Sequence, residues 1–207
     1  MTEIMIASEM NDDQIDTAVA QLRAAMRKHR KEISKDTAQH VLGTENLGMR
    51  MFAVFRGLAE AVSAFIVRLV PVNRDRTPQE ALNATGRKQY TDQKVVDAMP
   101  RGKGKDAQVI FFKPRPEAFT NGYITDEALE KEYAFLGLTP ADSYSLCAVN
   151  EADPVFADEH PNATHWKDAD GKWCFATFHR WNGGRKVYVN RHDYDWRVDW
   201  LFAGLRK

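Results

Sequence analysis

Apolar residues recur every three to four positions through the first seventy residues and alternate with polar ones only after residue 105. The chain therefore predicts a helical first third and a later part of mixed helix and strand. Asn11 to Gln14 has a capping-box pattern, and Ile15, Val19, Leu22 and Met26 follow at helical spacing with Arg and Lys between them, which is an amphipathic helix. A second short helix is expected from Ser34 to Leu42, stopped by Gly43 in a left-handed cap. Thr44 then caps a third, carrying Leu47, Met51, Val54, Phe55, Leu58, Val62, Phe65, Ile66 and Leu69. That apolar face is wider than one helical partner covers and predicts packing against several elements or another subunit. An ordinary helical subdomain and an oligomerisation stalk both fit it.

From Val72 to Lys105 the texture changes to short polar helices and turns, with Thr77-Pro78 as a helix start and Gly86 as a stop. Arg101 to Lys105, RGKGK, reads as a flexible basic linker; it lacks the Ser/Thr and following helix of a phosphate loop. Gln108 to Phe112 is then a strand ended by Pro114 and Pro116. A helix capped by Thr125 follows, with Asp126 and Glu127 at its positive end, Leu129, Tyr133 and Leu136 on one face and Gly137 as its stop. Thr139-Pro140 opens another helix, carrying Tyr144, Cys147 and Ala148. Thr164 to Trp166, Lys172 to Trp181 and Arg185 to Arg191 form a meander with a tight turn at Asn182 to Gly184, and Trp200 to Arg206 closes the chain as a strand.

Composition narrows the function. The 207 residues carry 29 Lys and Arg against 29 Asp and Glu, so no net field draws the molecule to nucleic acid or an anionic membrane. The N-terminus lacks the basic and apolar stretches of a secretion signal, which predicts a cytoplasmic location and leaves surface display by another route open. Met49 to Val70 is interrupted by Arg56, Glu60 and Arg68, so no membrane span is expected. Cys147 and Cys174 are the only cysteines, read as core side chains in a reducing compartment, without the spacing of a zinc site.

In the strand from Arg185, Val187 and Val189 point one way and Tyr188, Asn190, His192 and Tyr194 the other, a row of the kind that recognition surfaces favour. Asp193, Asp195 and Asp199 lie near His192 and define the enzymatic alternative, a metal-dependent hydrolase, although the spacing matches no calcium loop. Trp196 and Trp200 read as pins holding this loop to the body. Asp168 to Gly171 is a hairpin turn, and Glu159-His160-Pro161 lacks the paired cysteines of a zinc deaminase. No nucleophile elbow is present, and a pairing of Cys147 or Cys174 with His165 or His179 stays open. An interaction protein acting through the helical half is the third reading.

The segment from Arg180 to Lys207, RWNGGRKVYVNRHDYDWRVDWLFAGLRK, together with the order strand, two helices, meander and terminal strand from Gln108 on, resembles the variable proteins of diversity-generating retroelements. The resemblance implies a C-type-lectin-type fold. It ends in a region rewritten by error-prone reverse transcription at template adenines, whose altered side chains line a ligand-binding face. Template codons AAC and AAT randomised at adenine never yield Trp, Lys, Glu, Gln or Met; between Val187 and Leu201 only Trp196 and Trp200 lie outside the accessible set. Tyr188, Asn190, His192, Tyr194, Arg197, Asp199 and Leu201 are the implied variable, ligand-binding positions, with Val198 a further candidate. Among them Tyr188, Tyr194 and Leu201 would be contact anchors and the others would set polar specificity. Trp181, Trp196, Trp200, Phe202, Gly204 and Arg206 are the implied scaffold. The Glu-Pro-Asn or Gln-Pro-Asp motif of calcium-dependent lectins and the cysteine pair of formylglycine-generating relatives are absent, so no metal, cofactor or catalytic residue is implied.

The expectation is an α+β chain: a helical region over residues 1–70, short helices and a basic linker over 71–105, and a C-type-lectin-like domain over 106–207. That domain is expected to have a small antiparallel sheet and two helices, with the variable segment over about 181–207. The protein is expected to be a non-enzymatic recognition protein. Its ligand would be a protein or other macromolecule, not a specific nucleic acid, and the helical region is a candidate site of homo-oligomerisation.

Overall fold

Whether the apolar run after Met49 stays helical depends on what pairs with its end. In the computed structural model, which describes residues 9–62 and 65–207, it does not: α3 spans Leu47–Val62 and Phe65–Pro71 is a strand, β1. This corrects the expectation of a helix running to Leu69. Helical and alternating readings both fit a short apolar run, and all seven residues of β1 pair antiparallel with β3, Asp106–Phe112, which decides it. Ile66, Arg68 and Val70 are buried, and Val67 and Leu69 are exposed, as a period of two requires. The chain accordingly divides into two compact units at Val62/Ser63, eight residues short of the expected boundary at residue 70.

The first unit contains α1, Asp12–Lys28, α2, Lys35–Leu42, and α3. The Asn11–Gln14 capping box closes reciprocally, and Asp12 and Asp13 in the first turn and Arg27 and Lys28 in the last suit the helix dipole. Ser34 caps α2, but Gly43 ends it at φ −81°, not in the left-handed conformation. No residue described between 9 and 62 is buried. Ile15, Val19, Leu22 and Met26 of α1 and Phe52, Val54 and Leu58 of α3 all stand open.

The second unit is built on an eight-stranded sheet in the order β1-β3-β10-β6-β7-β8-β2, with β5 also paired to β10. The remaining strands are β2, Lys88–Thr91, β5, Leu138–Pro140, β6, Asn162–Lys167, β7, Trp173–Trp181, β8, Gly184–Arg191, and β10, Leu201–Arg206. The mixture of helix and strand follows expectation, but the sheet is large and mixed, not small and antiparallel. The pairs β6/β10 and β2/β8 are parallel. β1, β2 and β5 enlarge the sheet, because they come from segments read as helix, as short polar helices and turns, and as a helix start. Around β2, α4, Pro78–Ala84, and α5, Gln93–Asp97, form as the polar texture predicts, with the Thr77–Glu80 capping box in place. The basic RGKGK segment is no interdomain linker. Arg74 donates to the carbonyls of Arg101 and Gly104 and to Asp142, tying the segment into this unit.

Two helices frame the sheet's centre. α6, Asp126–Phe135, is capped by Thr125, and α7, Ser143–Ala152, by Asp142. Thr139-Pro140, expected to open α7, instead lies in β5, where the β10 edge is available to pair with it. Leu146 and Val149 of α7 join Phe111, Phe178, Val187, Val189 and Ala203 in the core, along with both free cysteines, Cys147 and Cys174. Tyr133 of α6 packs edge-on to Phe112, 5.0 Å between centroids, and its hydroxyl donates to the Ala203 carbonyl at 2.9 Å. A Cβ on Gly204 would stand 2.9 Å from Leu138 Cδ1 and 3.3 Å from Tyr133 Cε1, so this glycine admits the helix to the sheet.

Two framework substitutions test this packing by thermal denaturation. Gly204→Ala should destabilise by about 1–3 kcal/mol through overpacking. Phe202→Ala, at a fully buried site, should cost about 3–5 kcal/mol.

Candidate ligand-binding face

Directly paired residues share a sheet face, so register places His165 of β6, Phe175, Thr177 and His179 of β7, and Lys186, Tyr188 and Asn190 of β8 together. Val187 and Val189 take the opposite, core side beside Phe178 and Ala176, as the alternation predicts. β2 extends the face: Tyr90 stacks on Tyr188 at 4.8 Å and 11°, and Tyr188 stacks on His179 at 5.3 Å and 15°. Lys88 and Lys186 each hold an ammonium 5.4 Å from the Tyr90 ring centre. Asn190 Nδ2 donates to the Tyr90 carbonyl at 3.1 Å, so this side chain ties down the added edge strand.

Asp126, the first residue of α6, organises the other end of the face. One carboxylate oxygen accepts from Trp196 Nε1 at 2.8 Å and from His165 Nδ1 at 2.6 Å, and the other from His192 Nδ1 at 2.6 Å. Burial opposes its ionisation, but the hydrogen bonds from His165, His192 and Trp196 outweigh it and hold its pKa well below the usual carboxylate range. An ionised carboxylate only accepts, so both imidazoles present N–H at Nδ1. His165, itself buried, stacks on Trp173 at 4.7 Å and 8°, and Trp173 Nε1 donates to Glu127 at 2.9 Å. His165 Nε2 approaches Glu130 to 2.9 Å, off the line of a hydrogen bond. Burial disfavours the imidazolium, but the carboxylates of Asp126 and Glu130 prevail and raise the His165 pKa. A cavity of about 880 Å³ opens beside this group, lined in part by Glu127, Glu130, His165, Trp166 and Trp173. None of the expected contact residues lines it.

The loop from Asp193 to Trp200 rests on this node. Trp196, 3% exposed, packs against His192, Phe175 and Phe202 and edge-on to Trp200, which in turn meets His179. β9, Trp196–Arg197, pairs with β4, Tyr123–Ile124. Between these anchors Tyr194, 83% exposed, Arg197, Val198 and Asp199 point to solvent.

Several expected positions fall elsewhere. Leu201, expected as an exposed anchor, is buried in the core, because it opens β10 paired with Asn162 at the sheet's centre. His192 shares the face of Tyr188 and Asn190 as its parity requires, but α6 covers it there and its ring is sequestered by Asp126. Tyr188 is half-buried within its stack. Among the expected scaffold, Trp196, Phe202 and Gly204 are buried and Trp200 half-buried, whereas Trp181 is 63% exposed at the β7–β8 turn and Arg206 is exposed at the end of β10. The alternative cluster does not assemble: His192 turns to Asp126, Asp193 and Asp195 are exposed, and Asp199 stands 3.5 Å from Arg197. Among the described residues no group of three or more His, Cys, Asp or Glu side chains is placed to hold a metal ion. Burial pushes both thiols up, Cys174 to about 11, so neither offers a thiolate at neutral pH.

Asp126 and Tyr90 are the residues that sequence reasoning missed. Asp126 carried only the signal of a helix N-terminus, and nothing local links it to Trp196.

The node's two titrations oppose each other. Asp126 is shifted below its ordinary 3.8, so its contribution is complete above that value and is lost as pH falls beneath it. His165 is shifted above 6.5, so its contribution is complete below 6.5 and is lost as pH rises through the raised value. Urea midpoints should therefore fall on both sides of a plateau, and Asp126→Asn should flatten the acid limb; an unchanged acid limb contradicts the assignment. Compared with protein-family models, curated proteins and solved structures, the chain matches none.

Proposed function

We propose that the protein is a non-enzymatic recognition protein whose terminal segment displays a diversified surface, as in the variable proteins of diversity-generating retroelements, on a C-type-lectin-type domain. The observation that carries this reading is the division of the segment around Trp196. Tryptophan's codon contains no adenine, and Trp196 is the buried residue bonded to Asp126. Its neighbours Tyr194, Arg197, Val198 and Asp199, all reachable from adenine-randomised codons, stand in solvent. A loop whose fixed residue holds it down and whose changeable residues touch nothing essential tolerates rewriting without loss of fold.

The topology supports the same reading. β3, two helices, the β6–β8 meander and a terminal strand returning antiparallel beside β3 follow the order that the resemblance implies. Tyr194 and Val198 supply apolar contact area, Arg197 and Asp199 adaptable polar groups, and the Tyr90–Tyr188 stack a neighbouring rigid patch. A protein or other macromolecular surface is the ligand class that such an open, loop-borne patch fits.

Replacing Tyr194, Arg197, Val198 and Asp199 together should change unfolding free energy by no more than about 1 kcal/mol, whereas Trp196→Ala should cost about 3 kcal/mol or more. Equal losses would sink the division. Sequencing the locus tests diversification itself. The expected finding is a reverse-transcriptase gene with a near copy of the terminal coding segment differing at adenines, and the absence of both contradicts it.

A further inference from the structure

Among the described residues, a unit of three helices with no buried residue between 9 and 62 shows no core of its own, although it carries more than half of the exposed large apolar side chains described. Helices of 16 and 17 residues are marginal in water without a packed face. In α1 the open residues Ile15, Val19, Leu22 and Met26 are spaced four, three and four apart, the alternation of a two-stranded coiled-coil seam. They stand 45%, 49%, 42% and 57% exposed.

The polar residues flanking the seam identify its occupant. With Ile15 and Leu22 at the d positions and Val19 and Met26 at a, Asp16 and Arg23 fall at the two e positions on one edge, and Ala18 and Ala25 at the two g positions on the other. In an antiparallel pair centred between Ala20 and Gln21, Ile15 meets the second copy's Met26 and Val19 its Leu22. The two e edges then face each other, setting Asp16 against Arg23 twice, while the alanine edges allow close approach. The acidic first turn, Asp12 and Asp13, lies beside the second copy's basic last turn, Arg27 and Lys28, and the helix dipoles oppose. A parallel pair would instead set Arg23 against Ala18 and like-charged ends together.

We infer that α1 is a self-recognition surface, and that two copies of this chain associate through an antiparallel pairing of its Ile15–Val19–Leu22–Met26 seam. Such a dimer carries two recognition faces and gains avidity for any ligand presented in multiple copies.

Sedimentation equilibrium of the full chain tests this. A concentration-dependent dimer is expected. Asp16→Arg and Arg23→Asp, which place like charges across the e edge, should each weaken it about tenfold, and the double swap should restore it. Spin labels at Gln14 in the dimer should lie ~20 Å apart along the helix axis, at 1.5 Å per residue, where a parallel pair would place them side by side. A chain that stays monomeric at hundreds of micromolar, a dimer indifferent to the three variants, or labels at the short distance would overturn the proposal. Retention of the second unit's thermal transition in every variant shows that any loss of dimer is not global unfolding.

Discussion

The proposed recognition face depends on one carboxylate. Asp126 accepts hydrogen bonds from His165 on β6, from His192 just beyond β8 and from Trp196 in the terminal loop, while its own backbone opens α6. Three stretches distant in sequence, at Asp126, at His165 and at His192 to Trp196, meet on two oxygens 2.6–2.8 Å from their donors. Leaving any of these buried donors unmet would cost about 1–3 kcal/mol, so the node fixes both the helix against the sheet and the loop against the helix. The long Asp193–Trp200 connection is thereby held at its centre by Trp196, and the residues on either side are released from structural duty.

Much of this architecture was legible, and what was not has a common cause. Local signals carried through: the capping boxes at Asn11 and Thr77, the meander with its turn at Asn182, where φ is 49°, the cap at Thr125 and the pinning role of Trp196. The caps and the turn are each fixed by residues within a few positions of one another, whereas the partner that holds Trp196, Asp126, lies 70 residues away. The misreadings arose from pairing across long stretches of chain. Local pattern gives β1 a helical reading because its partner β3 lies some forty residues on, and β2 the texture of short helices and turns because its partner is β8, about a hundred residues on. Parity places His192 on the right face but cannot show that α6 covers that face, nor that the first residue of the terminal strand, Leu201, turns into the core.

The two units answer different physical demands. The second closes a core on both sides of its sheet, with α7 and Phe111 on one side and α6, Tyr133 and Phe202 on the other, so its stability is self-contained. The first exposes the apolar faces that its sequence pattern builds, and its helices need association to be well populated. A stable platform beneath the surface we propose to be changeable, joined to a helical segment whose described residues show no core, fits a molecule whose binding specificity is local and whose strength of binding can come from valency.

Hydrogen exchange of the 192–200 segment in the wild-type chain and in Asp126→Asn tests most directly whether the display loop is held from beneath. The account predicts faster exchange at Trp196 and Arg197 in the variant, with the β7–β8 pairing still protected. Unchanged protection of the loop would contradict it.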